Sequence, residues 1–193
     1  MVRKVGLDDL IGLARYASVR DELRRSIIAK KRDRRVLVGD RVSLVFENFD
    51  TVRFQIQEMI YVERITDIDK IRDECDVYNA LLPSERELSA TLFVEITQAD
   101  KIADELNRLV AIDECVFLVI GGRRIQARFE PGHSREDKIS AVQYVRFPLE
   151  PKDVEAITAT GTEVRIEIEH PSYRASTTLE DGHRASLAAD LRP

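Results

Sequence analysis

Apolar positions along this chain change their spacing repeatedly, and the changes mark out its elements. Over residues 10–34 they recur three and four apart, which predicts one long helix. Asp8 and Asp9 stand where carboxylates cap a helix, and the basic run Lys30-Lys31-Arg32-Asp33-Arg34-Arg35 meets its negative end. Residues 36–38 and 42–47, joined by Gly39-Asp40, read as a short hairpin. A second helix is predicted from a cap at Asp50 or Thr51 to about residue 65. A third follows Thr66 or Asp67, spans about 68–82 and is stopped by Pro83.

Beyond Pro83 the period shortens to two. Leu88, Ala90, Leu92, Val94 and Ile96 alternate with Ser89, Thr91, Phe93 and Glu95, the pattern of a half-buried strand. A helix is predicted over 98–111. Residues 116–120 and 124–130 then form arms of a hairpin turning at Gly121-Gly122, with Ile125, Ala127 and Phe129 inward. A loop over 131–138, a long strand over 139–149 and a short helix opened by Pro151 come next. Val164, Ile166 and Ile168 against Glu163, Arg165, Glu167 and Glu169 give another strand; one near 174–178 and a short helix close the chain. Strands with one charged face belong to antiparallel sheets with water on one side. The expected class is therefore α+β, N-terminal helices and a hairpin packed with a mostly antiparallel sheet. It is expected as one domain over 1–193, helical to about 83 and sheet-rich after it.

Polar residues break the helical pattern in one region. On the first helix Arg20 and Arg24, four apart, fall between two halves of an apolar arc, Leu13, Tyr16, Leu23 and Ile27 on one side and Leu10, Ala17 and Ile28 on the other. Buried guanidiniums need anionic partners. They could pair with acidic residues of the next segment, form a site for phosphate or carboxylate, or lie in an oligomer interface. The second helix is apolar on two sides, Val52, Ile56, Met59 and Ile60 opposite Phe54, Tyr61 and Ile65, as expected of a helix packed between layers. A partly buried network of Arg20, Arg24, Glu47, Asp50, Arg53, Gln57 and Glu63 is predicted, either specifying packing or forming a site.

Composition bounds the rest. The 193 residues are 44% hydrophobic and 34% charged, enough for a core under a solvated surface. Charge is uneven: residues 1–35 carry 11 Lys and Arg against 5 Asp and Glu, a net +6, while the remainder carries 19 against 30, a net −11. The basic segment at 30–35 either meets nucleic acid or docks on the acidic remainder of its own chain, and an acidic protein favours docking. Cys75 and Cys115 read as reduced, small buried residues, and with no leader or membrane span in view the expected location is the cytoplasm. His133, His170 and His183 fall in predicted loops or at strand ends, read as solvated, and no metal site is expected. No cofactor fingerprint is present either. One loop is rich in functional groups, with His133, Ser134, Arg135 and Lys138 just before a strand.

Three segments carry a resemblance: FENFDTVRFQIQEM at 46–59, YNALLP at 78–83 with ELSATL at 87–92, and KISAVQYVRF at 138–147. They resemble a family of uncharacterised bacterial proteins catalogued as a domain of unknown function. The resemblance runs from the N-terminal helix to about residue 149. The family has no established activity or catalytic residues to transfer. Its members are often encoded near rubrerythrin-like and iron–sulfur proteins, which implies a role beside redox or oxidative-stress chemistry. Three functions stay open. The first is a non-catalytic accessory or interaction protein, a homodimer or a partner of a redox protein. The second is a binding protein or enzyme for a small anionic or phosphorylated metabolite, with Arg20, Arg24 and Arg53 as the clamp. The third is nucleic-acid binding through 30–35, the least favoured. No membrane partner is expected.

Overall fold

The first hairpin, β1 (Arg35–Val38) and β2 (Val42–Phe46), turns at Gly39, whose φ of 72° lies in the left-handed region. A Cβ there would stand 2.4 Å from the Tyr173 hydroxyl, so both backbone and space demand glycine. The computed structural model describes residues 3–130, 134–135 and 138–192.

From this hairpin the larger sheet grows outward. Its order is β1-β2-β3-β9-β6, with β3 (Glu87–Val94), β9 (Val142–Pro148) and β6 (Arg128–Phe129), every neighbour antiparallel. A second sheet runs β11-β10-β4-β5, with β4 (Val116–Ile120), β5 (Arg123–Gln126), β10 (Val164–His170) and β11 (Tyr173–Thr178), again antiparallel. The two sheets share one strand run. At Ala127 the chain leaves β5, where its N–H still bonds the Val116 carbonyl, and two residues later Phe129 pairs with Val145 in the larger sheet. The arm predicted as one strand over 124–130 is thus split between sheets, because a strand turning a corner can feed both. On the far side Tyr173 joins β11 to β1 by donating to the Val38 carbonyl at 2.6 Å. A short pair, β7 (Ser134–Arg135) and β8 (Lys138–Ile139), lies between β6 and β9 in the chain.

The inward faces of both sheets make the larger core, with Val42, Leu44, Phe46, Leu88 and Leu92 facing Leu118, Ile120, Val164, Ile166 and Ile168. The other face of the larger sheet is covered too. Ser89 and Thr91, expected on a half-wet face, are buried, because helices lie over them. Those are α2 (Phe49–Val62) and α3 (Ile68–Asn79), whose Val52, Ile56, Ile60 and Cys75 form a second core with Val5, Leu81 and Leu82, against which Tyr144 of β9 packs. Asn48 caps α2, its Oδ1 accepting from the N–H groups of Asp50 and Thr51; Asp67 caps α3 in the same way.

The first helix is shorter than its periodicity. Leu7–Asp9 is a 3-10 turn, residues 10–12 are extended, and α1 runs over Leu13–Arg32 from Gly12. The break has a physical cause: the Ile11 N–H and C=O are both taken by the Gln57 carboxamide, at 2.7 and 2.9 Å, so they cannot join a helix. The helix predicted over 98–111 is likewise cut to α4 (Ile102–Arg108), preceded by a 3-10 turn at Ala99–Lys101. Pro151 opens α5 (Pro151–Thr158) as expected, and α6 (Asp181–Asp190) is the last helix. No helix among the described residues is long and apolar enough to cross a membrane.

Candidate functional site in the cleft between the first two helices

The predicted polar network resolves into separate pieces. Arg20 meets Glu58 and none of Glu47, Asp50 or Glu63: its Nε and one Nη donate to the two carboxylate oxygens at 2.8 Å each. The Tyr16 hydroxyl donates to the same carboxylate at 2.6 Å. Tyr61 completes the group, edge-on to Tyr16 at 5.4 Å and under the Arg20 guanidinium at 4.9 Å. This bidentate pair holds the Glu58 carboxyl below its ordinary range, and burial with the Glu58 bond pushes the Tyr16 phenol well above its own. The signal for Glu58 was in the sequence. It lies within the Phe54, Tyr61 and Ile65 face of α2, and a lone carboxylate on an aromatic face calls for a cation.

Elsewhere the predicted members serve different tasks. Glu47 is buried and accepts from the Thr91 and Thr51 hydroxyls, at 2.7 and 2.5 Å, tying the end of β2 to β3 and α2. Gln57 clamps the Ile11 backbone. Glu63 is exposed at the end of α2 rather than within its apolar face, and Arg24 is exposed on α1. The basic run docks in part on its own chain. Lys30 pairs with Asp50, Arg35 with Glu95, and buried Arg34 with Asp190 of α6 at 2.5 Å.

Arg53 differs from all of these. Half-buried on α2, it makes no hydrogen bond or ion pair with the described residues, and it lines a cleft of about 80 Å³ between α1 and α2. Tyr16, Leu23, Ser26, Ile27 and Lys30 of α1, and Asp50, Phe54 and Gln57 of α2, complete the walls with Asp9 and Ile11. Two carboxylates face the cleft, and each already has its cation: Asp50 holds Lys30 and Asp9 holds Arg3. The Tyr16 hydroxyl and the Gln57 carboxamide are engaged as described. The uncompensated charge of the cleft is therefore the Arg53 guanidinium, a planar fork matched to carboxylate or phosphate oxygens.

His170 and His183 part from the solvated reading. His170 is 5% exposed, with Nε2 bonded to the Val110 carbonyl at 2.8 Å and Nδ1 accepting from the Ser172 N–H at 3.1 Å. His183 lies between the Glu180 N–H and the Arg35 carbonyl. Both are fold-holding groups. His133 and the side chains of Ser134, Arg135 and Lys138, singled out in the loop, lie outside the described residues. Among the described residues no group of three or more His, Cys, Asp or Glu is placed to hold a metal ion. Burial raises the thiols of both Cys75 and Cys115, as for small packed residues.

Comparison with known proteins agrees with this outline. A family model described as a protein of unknown function (DUF3501) matches residues 4–191. A crystal structure described as a novel protein of unknown function from Burkholderia pseudomallei superposes with a TM-score of 0.92 at 34% identity, covering 98% of this chain and 100% of that one. Comparison with curated proteins finds no match. The chain belongs to the DUF3501 family of proteins of unknown function.

Proposed function

We propose that this chain is a non-catalytic binding protein whose α1–α2 cleft receives a small anionic group, a carboxylate or phosphate, on Arg53. One observation carries the reading: every other charged group among the described residues lining the cleft is paired within the protein, and the Arg53 guanidinium is left without a partner beside the space. A bound anion would complete its bidentate pairing in a partly desolvated setting, where such bonds are strongest. Isothermal titration with acetate and inorganic phosphate at low salt tests this. Arg53→Gln is expected to weaken binding at least tenfold with an unchanged melting temperature, as loss of one charged pair implies, and Arg53→Lys to recover it in part. Equal affinity in wild type and Arg53→Gln would remove the cleft from the account.

A second reading, docking to another protein or to a second copy, has its own observation. Val62 and Ile68, 65% and 56% exposed, straddle the turn between α2 and α3. Sedimentation velocity on wild type and on Val62→Ser with Ile68→Ser tests it; self-association lost in the variant supports the reading, and a monomer throughout counts against a homodimer.

A further inference from the structure

A second cavity lies on the other side of the segment that enters α1. It is an open groove of about 330 Å³, walled by Leu7, Leu10 and Leu13 from the N-terminal side and by Ile60, Ile65 and Ile71 from the helices. Among the described residues, Thr66 is the one polar side chain in its lining, and no charged one is present. Ile11 is a wall of both this groove and the Arg53 cleft. Its backbone is pinned to α2 by Gln57, which fixes the residue at the boundary between a cationic cleft and an apolar groove. The two spaces also follow one another along α2, from Arg53 and Gln57 at the cleft to Ile60 at the groove.

From this juxtaposition we infer that the natural ligand is an amphiphilic monocarboxylate, its carboxylate on Arg53 and its apolar chain crossing Ile11 into the groove. The inference rests on the proposed role of the cleft and extends it to the class of ligand. Charge and shape both select this chemistry. The cleft holds a single unmatched positive charge and has room for one small head group. The groove would desolvate a hydrocarbon chain and would leave a charged or strongly hydrated one unpartnered. A phosphorylated sugar would satisfy Arg53 and find, among the described residues, the one side-chain partner Thr66 for its hydroxyls beyond Ile11.

Titration of the full chain with the straight-chain series from acetate to octanoate, all below micelle-forming concentration, tests the inference. Affinity is expected to rise with chain length, by up to about fourfold for each methylene buried. Arg53→Gln is expected to weaken every member by the same factor. Leu7→Asp, a substitution at a partly exposed groove position, is expected to flatten the length dependence and to weaken octanoate binding more than acetate binding. If acetate binds through Arg53 but affinity does not change with length, the amphiphile inference fails and the anion cleft stands. If acetate does not bind at all, the cleft reading itself fails. A length dependence that survives both Leu7→Asp and Leu10→Asn puts the chain elsewhere and overturns the assignment.

Discussion

Replacing Arg34 with Met is expected to loosen the closure of the C-terminal helix on the first hairpin. Arg34 is 3% exposed, and its guanidinium makes four bonds: to the carbonyls of Phe46 and Glu47 at 2.7 and 3.1 Å, to the Ser186 hydroxyl at 2.9 Å, and to Asp190 at 2.5 Å. Charged hydrogen bonds are worth roughly 1.5–3 kcal/mol each, but the sum overstates the loss, because burying the guanidinium also costs free energy that the variant no longer bears. Breaking a buried pair from one side costs about 3–5 kcal/mol. Asp190 keeps the Asn48 carboxamide at 3.0 Å and some solvent, which rules out the top of that range. A loss of about 4 kcal/mol corresponds to roughly 8–16 °C in melting temperature for a chain of this size. Urea unfolding followed by circular dichroism should show the midpoint falling with little change in slope. A double-mutant cycle with Asp190→Asn should return a coupling above about 1 kcal/mol. A stability change below about 1 kcal/mol for Arg34→Met would refute the view that this contact fixes α6.

Three further outcomes follow from the same structure. Gly39→Ala should destabilise by about 1–3 kcal/mol, since it meets both a positive φ and the Tyr173 hydroxyl; a neutral effect in thermal melts would mean the turn is free to change. Gln57→Leu should remove the two bonds that pin Ile11, speeding exchange of the Ile11 amide roughly 30-fold for a local loss of about 2 kcal/mol; unchanged exchange would mean that amide is protected by other means. Acid should reveal Glu150, whose carboxyl Arg123 and then Lys152 hold down to about 2 from an ordinary 4.5. A depressed carboxyl contributes its stability above the unfolded value and loses it as pH falls through the folded one. Glu150→Gln should therefore flatten the decline in stability between about pH 4.5 and pH 2, and an unaltered acid limb would contradict the pairing.

Much of the fold was legible in the sequence because its periods are local. The alternation through Val164, Ile166 and Ile168 and the Gly39 and Gly121-Gly122 turns need only neighbouring residues to specify them, and the structure has them as expected. What failed depended on partners distant in the chain. The helix expected from residue 10 starts at Leu13 because Gln57, 46 positions away, takes the Ile11 backbone. Ser89 and Thr91 look like surface residues until α2 is placed over them and Glu47 and the Leu81 carbonyl appear as their partners. In the site, the wheel placed Arg20 where an anionic partner is needed and offered Glu47, Asp50 and Glu63, whereas the packing of α1 on α2 brings Glu58 to it. Arg53 was marked as one of three arginines that could clamp an anion, with Arg20 and Arg24. That it is the charged group left unmatched in the cleft is a result of the pairings around it, which sequence spacing does not reveal.

The most direct measurement is the Arg53 side-chain Nε–H resonance in a 15N correlation spectrum recorded through a titration with acetate, with exposed Arg24 as the internal reference. The account predicts a saturable shift at Arg53 with little change at Arg24, because only Arg53 faces the cleft. Parallel, unsaturable shifts at both arginines would show general screening by the added salt and would contradict an anion site between the first two helices.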